Sequence, residues 1–168
     1  MAVHKIIELG STGSQSEYAG KSTSAGAADA GEFVILGAGG KLDATVLPNG
    51  VGADAITATA GEALVAGDFV YITNTGTVMK ADATTFAKRA MGYVISAVLN
   101  AGTATVFFDE SNSALSGLTM GSKYFLSATA GLSTLTAPTT AGQFVQCLGV
   151  ATSTTSLHVN LQEPIQRA

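Results

Sequence analysis

The C-terminal half of the chain is a series of short apolar segments, each ended by a glycine or proline turn. Residues 124–126 and 144–150 are two such segments, and residues 157–161 alternate between apolar and polar side chains. Alternation with a period of two is typical of a strand with one buried face. The pattern predicts a small, rigid β body whose function resides in a surface rather than in a cleft.

The preceding part of the chain carries the same pattern. Residues 56–60, 68–73, 91–99 and 103–109 are apolar and rich in β-forming side chains. Glycine-containing turns separate these segments about every ten to fifteen residues, a rhythm typical of a sandwich or barrel rather than of an α/β domain. No convincing helix of three turns is present. Asp82 could cap a single helical turn, and an ordered loop is the alternative there.

We therefore predict an all-β fold, a small antiparallel β-sandwich or barrel over residues 54–168, preceded by an extended N-terminal arm over residues 1–53. Residues 11–31 are rich in Ser, Gly and Ala, a composition typical of a linker, and residues 33–36 form the one short strand predicted in the arm. The side chains predicted to lie mostly inside the body are Val70, Ile72, Val94, Val106, Phe108, Phe125, Val145, Val150 and Val159.

Charged residues are scarce in this chain. They make up 12% of it, against about 25% in a typical soluble domain. Solubility normally demands surface charge, so a surface with so little of it is expected to be covered in part by other protein subunits. A monomer kept soluble by Ser and Thr is the alternative.

Charge and hydropathy also bear on the partners. With a net charge of −4 and Lys or Arg scattered singly apart from Lys88 and Arg89, no attraction to nucleic acid is expected. No apolar run is long enough for a membrane span, and the N-terminus lacks a signal-peptide core, which predicts synthesis in a cytoplasm. The single Cys147 lies in an apolar run and is predicted to be a buried, inert thiol rather than a nucleophile.

Two glycine-containing motifs resemble nucleotide-binding loops, and both fail. Residues 20–22, Gly-Lys-Ser, look like the end of a phosphate-binding loop, but that loop needs glycine where Gln15 stands and a strand before it. Residues 37–39, Gly-Ala-Gly, would need glycine in place of Leu42 and a following helix to form a dinucleotide turn. The sequence predicts no cofactor-binding residue.

The candidate metal ligands are sparse. His4 and His158 are far apart in sequence, and His158 lies on the polar side of an alternating strand, where a solvated or interface histidine is expected rather than a ligand. Asp109 and Glu110 could bind Ca²⁺ together with Asn112, but the spacing lacks the denser acidic pattern of a calcium loop, and a solvated turn is the simpler interpretation. No catalytic or metal-binding residue is predicted, and no motif supports an enzyme.

Two segments resemble those of a known family. Residues 62–70 read EALVAGDFV and resemble an "AL.AGD.V" step, and residues 117–127 read GLTMGSKYFLS, similar to a "GLTPGA.YYLS" segment, with Met120 in place of proline. Both occur in the capsid decoration, or head cement, proteins of tailed double-stranded DNA bacteriophages. Further matching pieces fall in the same order between Ala30 and Pro164: Gly40, Lys41, Leu42, Asp43, Leu47, Pro48, Pro138, Thr139, Gly142, Val145, Gln146, Gly149, Val150 and Ala151.

The resemblance implies a structural virion protein that binds the outer surface of the capsid and stabilises it, with the major capsid protein as its partner. It also implies a homotrimer, because decoration proteins commonly sit on threefold positions. Residues 2–31 are then expected to contact a neighbouring subunit or the capsid. Similar segments in phage tail and fibre proteins leave a receptor- or glycan-binding role as the alternative, although Trp, the usual residue for stacking on sugars, is absent.

Overall fold

The computed structural model describes residues 5–9, 13–47 and 54–167. The chain divides into two compact units, Met1–Gly52 and Ala53–Ala168, called here the first and second units. Within the described ranges, helical structure is limited to 3-10 turns of three or four residues. No helix there is long and apolar enough to cross a membrane. The predicted all-β, antiparallel fold is confirmed, and its sheets form a sandwich-like arrangement rather than a closed barrel.

The first unit contains a two-stranded antiparallel hairpin, β1 (Lys5–Leu9) and β2 (Gln15–Ala19), with Ile7 opposite Glu17. Two 3-10 turns follow, at Gly26–Asp29 and Ala44–Val46. The antiparallel ladder covers five residues of each strand, and its backbone hydrogen bonds hold the two strands together. The polar composition of β2 did not predict this pairing.

Two sequence predictions for this unit are wrong. Residues 11–31 were predicted to be linker-like, yet β2 lies within them. Residues 33–36 were predicted to form a strand, and the structure has only an isolated bridge in which Val34 pairs with Lys21. The backbone N–H of Ile35 and the carbonyl of Phe33 are both used by Lys21, so pairing does not extend further along this apolar run.

The second unit begins with a five-stranded antiparallel sheet, the first sheet, whose strand order is β3-β7-β6-β4-β5. A tight turn joins β4 to β5, closed by a hydrogen bond from the Thr73 N–H to the Thr77 carbonyl and by Gly76 at positive φ. The strands are β3 (Ala55–Thr59), β4 (Phe69–Ile72), β5 (Val78–Lys80), β6 (Gly92–Tyr93) and β7 (Thr103–Phe107).

The second sheet of this unit is also five-stranded and antiparallel, with the order β10-β9-β12-β13-β8. A β-bulge between Cys147 and Gly149 interrupts the pairing of β12 with β9. The strands are β8 (Ser111–Asn112), β9 (Lys123–Leu126), β10 (Ser133–Thr134), β12 (Cys147–Ala151) and β13 (Leu157–Val159), and a small separate pair joins β11 (Phe144–Val145) to β14 (Ile165–Gln166).

Two apolar clusters fill this unit. The larger one lies between the two sheets. Phe69 and Tyr93 of the first sheet contribute to it, and so do three leucines of the second sheet, Leu126, Leu148 and Leu157. The smaller cluster covers the other face of the first sheet and contains Val70, Val78, Val94, Ala104, Val106 and Leu64. The adjacent residues Phe69 and Val70 are therefore both fully buried, which explains the unbroken apolar run in β4.

The predicted core is right in part. Val70, Val94, Val106 and Val159 are buried. Ile72, Phe108, Phe125 and Val145 are partly buried, with Phe108 packed against the smaller cluster, whereas Val150 is 38% exposed, so the prediction for Val150 is wrong. The reason for Phe125 is strand phase: its neighbours Tyr124 and Leu126 both face the core, so Phe125 must face outward.

Two element predictions also need correction. Residues 91–99 were predicted to be one strand, but only Gly92–Tyr93 pairs within the sheet. The rest departs because Val98 instead pairs with Leu64, exchanging hydrogen bonds of 2.8 and 3.0 Å. Asp82 does not cap a helix: a 3-10 turn at Phe86–Lys88 forms without a side-chain cap, and the Asp82 carboxylate accepts from Thr84 instead.

Candidate functional site

Four polar or charged side chains are buried in the described part of the second unit, and each has a structural partner. They are Asp68, Asp82, Asn112 and Gln146. No buried side-chain nitrogen or oxygen in the described residues lacks a hydrogen-bond partner. Groups held this way stabilise the fold, because a buried polar group costs free energy unless it is hydrogen-bonded.

Asp68 explains the Ala-Gly-Asp motif in the sequence. Its Oδ2 accepts a 2.7 Å hydrogen bond from the Val65 backbone N–H and lies 3.3 Å from the Lys80 Nζ. Gly131 packs so closely that a Cβ there would lie 2.4 Å from the Asp68 Oδ1. The carboxylate thus closes the turn before β4 and joins this turn to β5 through Lys80. Asp68 therefore has a structural role.

Residues 117–127, the second segment that resembles the phage proteins, contain a partly buried hydrogen bond with a structural role. The Tyr124 hydroxyl oxygen accepts a 2.8 Å hydrogen bond from the Thr119 backbone N–H. This bond closes the turn before β9, in which Gly121 has a positive φ and its N–H donates to the Ala151 carbonyl. Met120, at the tip, is 70% exposed. The segment is therefore a strand-and-turn unit that leaves one large apolar side chain at the surface.

The candidate calcium ligands do not converge on one point. Asn112 is fully buried, with its Nδ2 donating to the Gly67 carbonyl at 3.0 Å and its Oδ1 accepting from the Ala114 N–H. The Asp109 Oδ1 accepts from the Glu110 N–H, and both acidic residues are exposed. The described residues contain no cluster of three or more His, Cys, Asp or Glu placed to hold a metal ion.

Gln146 was not predicted as a structural residue, although it connects distant parts of the chain. Its Oε1 accepts from the Ala90 N–H at 2.8 Å and its Nε2 donates to the Ala90 carbonyl at 2.9 Å. The amide thereby imitates a neighbouring strand for Ala90, which precedes β6. The signal in the sequence was a lone amide inside the apolar run 144–150, in phase with Phe144 and Leu148.

Lys88 and Arg89, the one basic doublet, are both partnered. The Lys88 Nζ lies 3.0 Å from the Asp82 Oδ2, and the Arg89 guanidinium lies 5.5 Å from the centre of the Phe86 ring. Burial raises the pKa of Asp82, but hydrogen bonds from Thr84 and Lys88 outweigh it and hold that pKa below its usual range. The doublet therefore serves a loop rather than a basic surface.

The glycine motifs of the first unit form turns, not phosphate loops. The Lys21 Nζ lies 3.2 Å from Asp29 and is engaged in an ion pair. A Cβ on Gly20 would lie 2.2 Å from the Ile35 side chain, so close packing explains this glycine. The Gly37 N–H donates to the Lys41 carbonyl, which closes a loop followed by the three-residue 3-10 turn Ala44–Val46.

The remaining residues considered from sequence lie apart. His158 is exposed on the outer face of the second sheet, between Ser111 and Val150 on the neighbouring strands. Cys147 is a free thiol that is partly exposed, so the prediction of full burial is wrong. The β-bulge after Cys147 shifts its strand and leaves Leu148 to fill the core. His4 lies outside the described residues.

Large apolar side chains are exposed on the surface of the second unit. Val65 and Leu132 are more than half exposed and line a groove of about 390 Å³ whose walls include Lys80 and Leu115. Other large apolar side chains that are at least one-third exposed in this unit are Ile56, Phe86, Met91, Ile95, Leu99, Met120, Leu135, Val150 and Ile165. Exposed apolar side chains that lie together, as Val65 and Leu132 do along this groove, are typical of surfaces that contact other proteins.

The first unit has a similar surface. Ile6, Ile7 and Tyr18 of the hairpin are exposed and, with residues 30–33, line a groove of about 540 Å³. All five residues of β2 are exposed. Ile6, Ile7 and all of β2 therefore present uncovered side chains, and they are the part of the unit best suited to bind another surface.

Comparison with known proteins adds no relative. No protein-family model matches the chain, and no curated protein sequence matches it. The interpretation of the candidate surface therefore depends on the residues and their geometry.

Proposed function

We propose that this protein is a structural virion protein of a tailed double-stranded DNA phage. It binds the outer surface of the assembled capsid as a homotrimer and stabilises the shell. The observation that carries the proposal is the combination of exposed apolar side chains on both units with a chain that is only 12% charged. Exposed apolar side chains and low charge together favour a surface that is covered by protein partners.

The fate of the polar side chains supports binding rather than catalysis. In the second unit, the buried acids and amides form hydrogen bonds that hold the backbone in place. Asp68 accepts from the Val65 N–H in a turn, and Gln146 bonds to the distant Ala90. In the described residues, every fully buried side-chain nitrogen or oxygen already has a hydrogen-bond partner. Polar side chains used in this way suit a protein that acts by binding another surface.

The mechanism is linkage between binding and assembly. A ligand that binds the assembled shell but not its separated subunits stabilises the shell by the free energy of binding. Three copies joined in a trimer bind three equivalent shell subunits at once, and each contact after the first forms at high effective concentration. Modest contacts repeated in this way give a tight attachment.

The first unit is proposed to make part of these contacts. Its hairpin exposes Ile6, Ile7 and Tyr18, and a two-stranded hairpin is at best marginally stable alone. A chain lacking residues 1–31 should therefore keep the far-UV circular dichroism of β structure but lose capsid binding. Unchanged affinity of the truncated chain for capsids would show that this segment is incidental.

The location is tested by imaging. Virions of the phage that encodes this chain, labelled with an antibody against it and viewed by electron microscopy, should carry label over the head. Sedimentation equilibrium of the purified protein should give three times the chain mass. Label confined to the tail or fibres would instead support the receptor-binding role, and a stable monomer would contradict the trimer.

A further inference from the structure

The two edges of the first sheet differ in how they are protected. At one edge, β5 is covered by the preceding segment: the Gly61 N–H donates to the Val78 carbonyl at 2.8 Å and Glu62 Oε1 accepts from the Lys80 N–H at 2.8 Å. At the other edge, β3 pairs with β7 and with no other described strand. The edge strands of the second sheet, β8 and β10, are only two residues long. β3, with five residues, is the longest edge strand of the described second unit, and it is open except at its end, where Ala60 bridges to Val78 of β5.

The backbone groups that β3 leaves free can be identified from its ladder. The Phe108 N–H donates to the Asp54 carbonyl at 2.9 Å, and the Ala60 N–H donates to the Gly102 carbonyl at 2.8 Å. Hydrogen-bonded pairs alternate along an antiparallel ladder, so Ile56 and Ala58 also bond to β7. The N–H and C=O groups of the residues between them, Ala55, Thr57 and Thr59, therefore point away from the sheet. At the end of the strand, however, Ala60 forms a parallel bridge with Val78 of β5, so the Thr59 C=O faces β5 and only Ala55 and Thr57 leave an open edge.

This edge carries none of the usual protection against pairing. Natural edge strands are commonly blunted by a lysine, a proline or a β-bulge. β3 reads Ala-Ile-Thr-Ala-Thr, without charge or proline, and its register with β7 is unbroken from Ala55 to Thr59. Thr57 and Thr59 are exposed, opposite the exposed Thr105 and Thr103. Such a strand is a template for a further strand.

The hairpin of the first unit is the matching element. β1 and β2 form a separate two-stranded sheet, so each has an outer edge without a described partner strand. Ile6 and Ile7 are adjacent and so point to opposite faces, yet they are 49% and 69% exposed. A hairpin needs at least a third strand or a packed face to be stable. The chain thus presents one strand pair that lacks a sheet and one sheet edge that lacks a strand.

We propose that the hairpin β1–β2 of a second copy of this chain adds to the open edge of β3. The first sheet then gains two strands, and the outward groups of Ala55 and Thr57 are hydrogen-bonded. Donor and acceptor are different surfaces of the same chain, so the contact is head-to-tail, and a rotation that closes gives a ring rather than a filament. The number three for that ring rests on the proposed function, but the pairing itself does not.

Cross-linking between distinguishable copies tests the pairing. In a Cys147→Ser background, a tagged chain carrying Thr57→Cys is mixed with an untagged chain carrying Ser16→Cys, unfolded and refolded together, and treated with a short dithiol-reactive cross-linker. The expected product has the summed mass of one tagged and one untagged chain. The matched control replaces Ser16→Cys with Thr154→Cys, an exposed residue of the second unit, and should give no such product.

Two other products would overturn the proposal. A tagged pair joined through Thr57→Cys alone would mean that two β3 edges pair symmetrically. A bond formed only within a chain that carries both cysteines would mean that the hairpin covers its own β3. Absence of any Thr57–Ser16 product would also reject the pairing.

A backbone variant gives an independent readout. Thr57→Pro removes an N–H that points outward and leaves the bonds of Ile56 and Ala58 to β7 in place. The variant should keep its β-type circular dichroism and sediment at one-third of the wild-type mass. Thr57→Val retains the N–H and should stay a trimer. A Thr57→Pro protein that remains trimeric would contradict the proposal.

The outcomes separate this inference from the proposed function. If wild-type protein labels phage heads but the cross-link does not form, the pairing fails and the function stands. If the cross-link forms but the protein does not label phage heads, the function fails and the pairing stands.

Discussion

Gln146 provides the sharpest test of how the second unit is held together. The side chain is 3% exposed and forms hydrogen bonds of 2.8 and 2.9 Å to both backbone groups of Ala90, which is itself 4% exposed. Gln146→Met keeps the length of the side chain but removes the amide oxygen and nitrogen that bond to Ala90. The N–H and C=O of Ala90 are then buried without hydrogen bonds, and each such group costs about 1–3 kcal/mol.

The expected loss in the free energy of unfolding is therefore roughly 2–4 kcal/mol, after allowing for the lower cost of burying a thioether than an amide. With a urea dependence of about 1–3 kcal/mol per molar, the unfolding midpoint should fall by about 1–2 M. Urea unfolding followed by circular dichroism at one fixed protein concentration measures this, because association shifts apparent stability.

The matched control is Gln162→Met. Gln162 is exposed, and its backbone N–H donates to the Cys147 carbonyl whatever the side chain. Its stability should change by less than about 0.5 kcal/mol. If Gln146→Met were no more destabilising than Gln162→Met, the amide would not be joining these strands as argued.

Two further predictions concern a glycine and an acid. Gly149→Ala should lower the melting temperature by about 10 °C or more, because the new Cβ would lie 2.0 Å from the His158 carbonyl oxygen. Gly142→Ala, at an open site with φ +84, should cost only about 1–2 kcal/mol, and equal losses would contradict the clash. Because the folded pKa of Asp82 is lowered, its contribution is present at neutral pH and is lost as the pH falls below about 4. Asp82→Asn should therefore lose less stability than wild type between pH 7 and pH 2, and identical pH profiles would refute this.

The sequence predicted the type of fold because local patterns in it were strong. The alternation at residues 157–159 appears in the structure as a strand with its first and last side chains buried and His158 exposed. The segment predicted at residues 68–73 is found as the strand Phe69–Ile72, and a glycine turn at Gly76 follows it. Period-two patterns and glycine turns act over a few residues, so they can be recognised without knowledge of the tertiary structure.

Other features depend on contacts between distant residues and were not predictable from local pattern. The phase of Phe125 and the exposure of Val150 follow from a bulge at Gly149 and from which neighbours reach the core. The hairpin β1–β2 joins an apolar segment to a polar one through backbone pairing and a 2.6 Å ion pair between Lys5 and Glu17. The bond between Gln146 and Ala90 spans 56 residues, a separation at which sequence gives no direct signal.

The central claim is that the protein strengthens an assembled phage shell, and the temperature of DNA release measures that directly. Capsids prepared without this protein are heated in the presence of a DNA-binding dye, alone and after addition of the purified chain. The account predicts that the decorated capsids release DNA at a higher temperature, and that the chain lacking residues 1–31 gives no increase. Release at the same temperature with and without the full chain would contradict it.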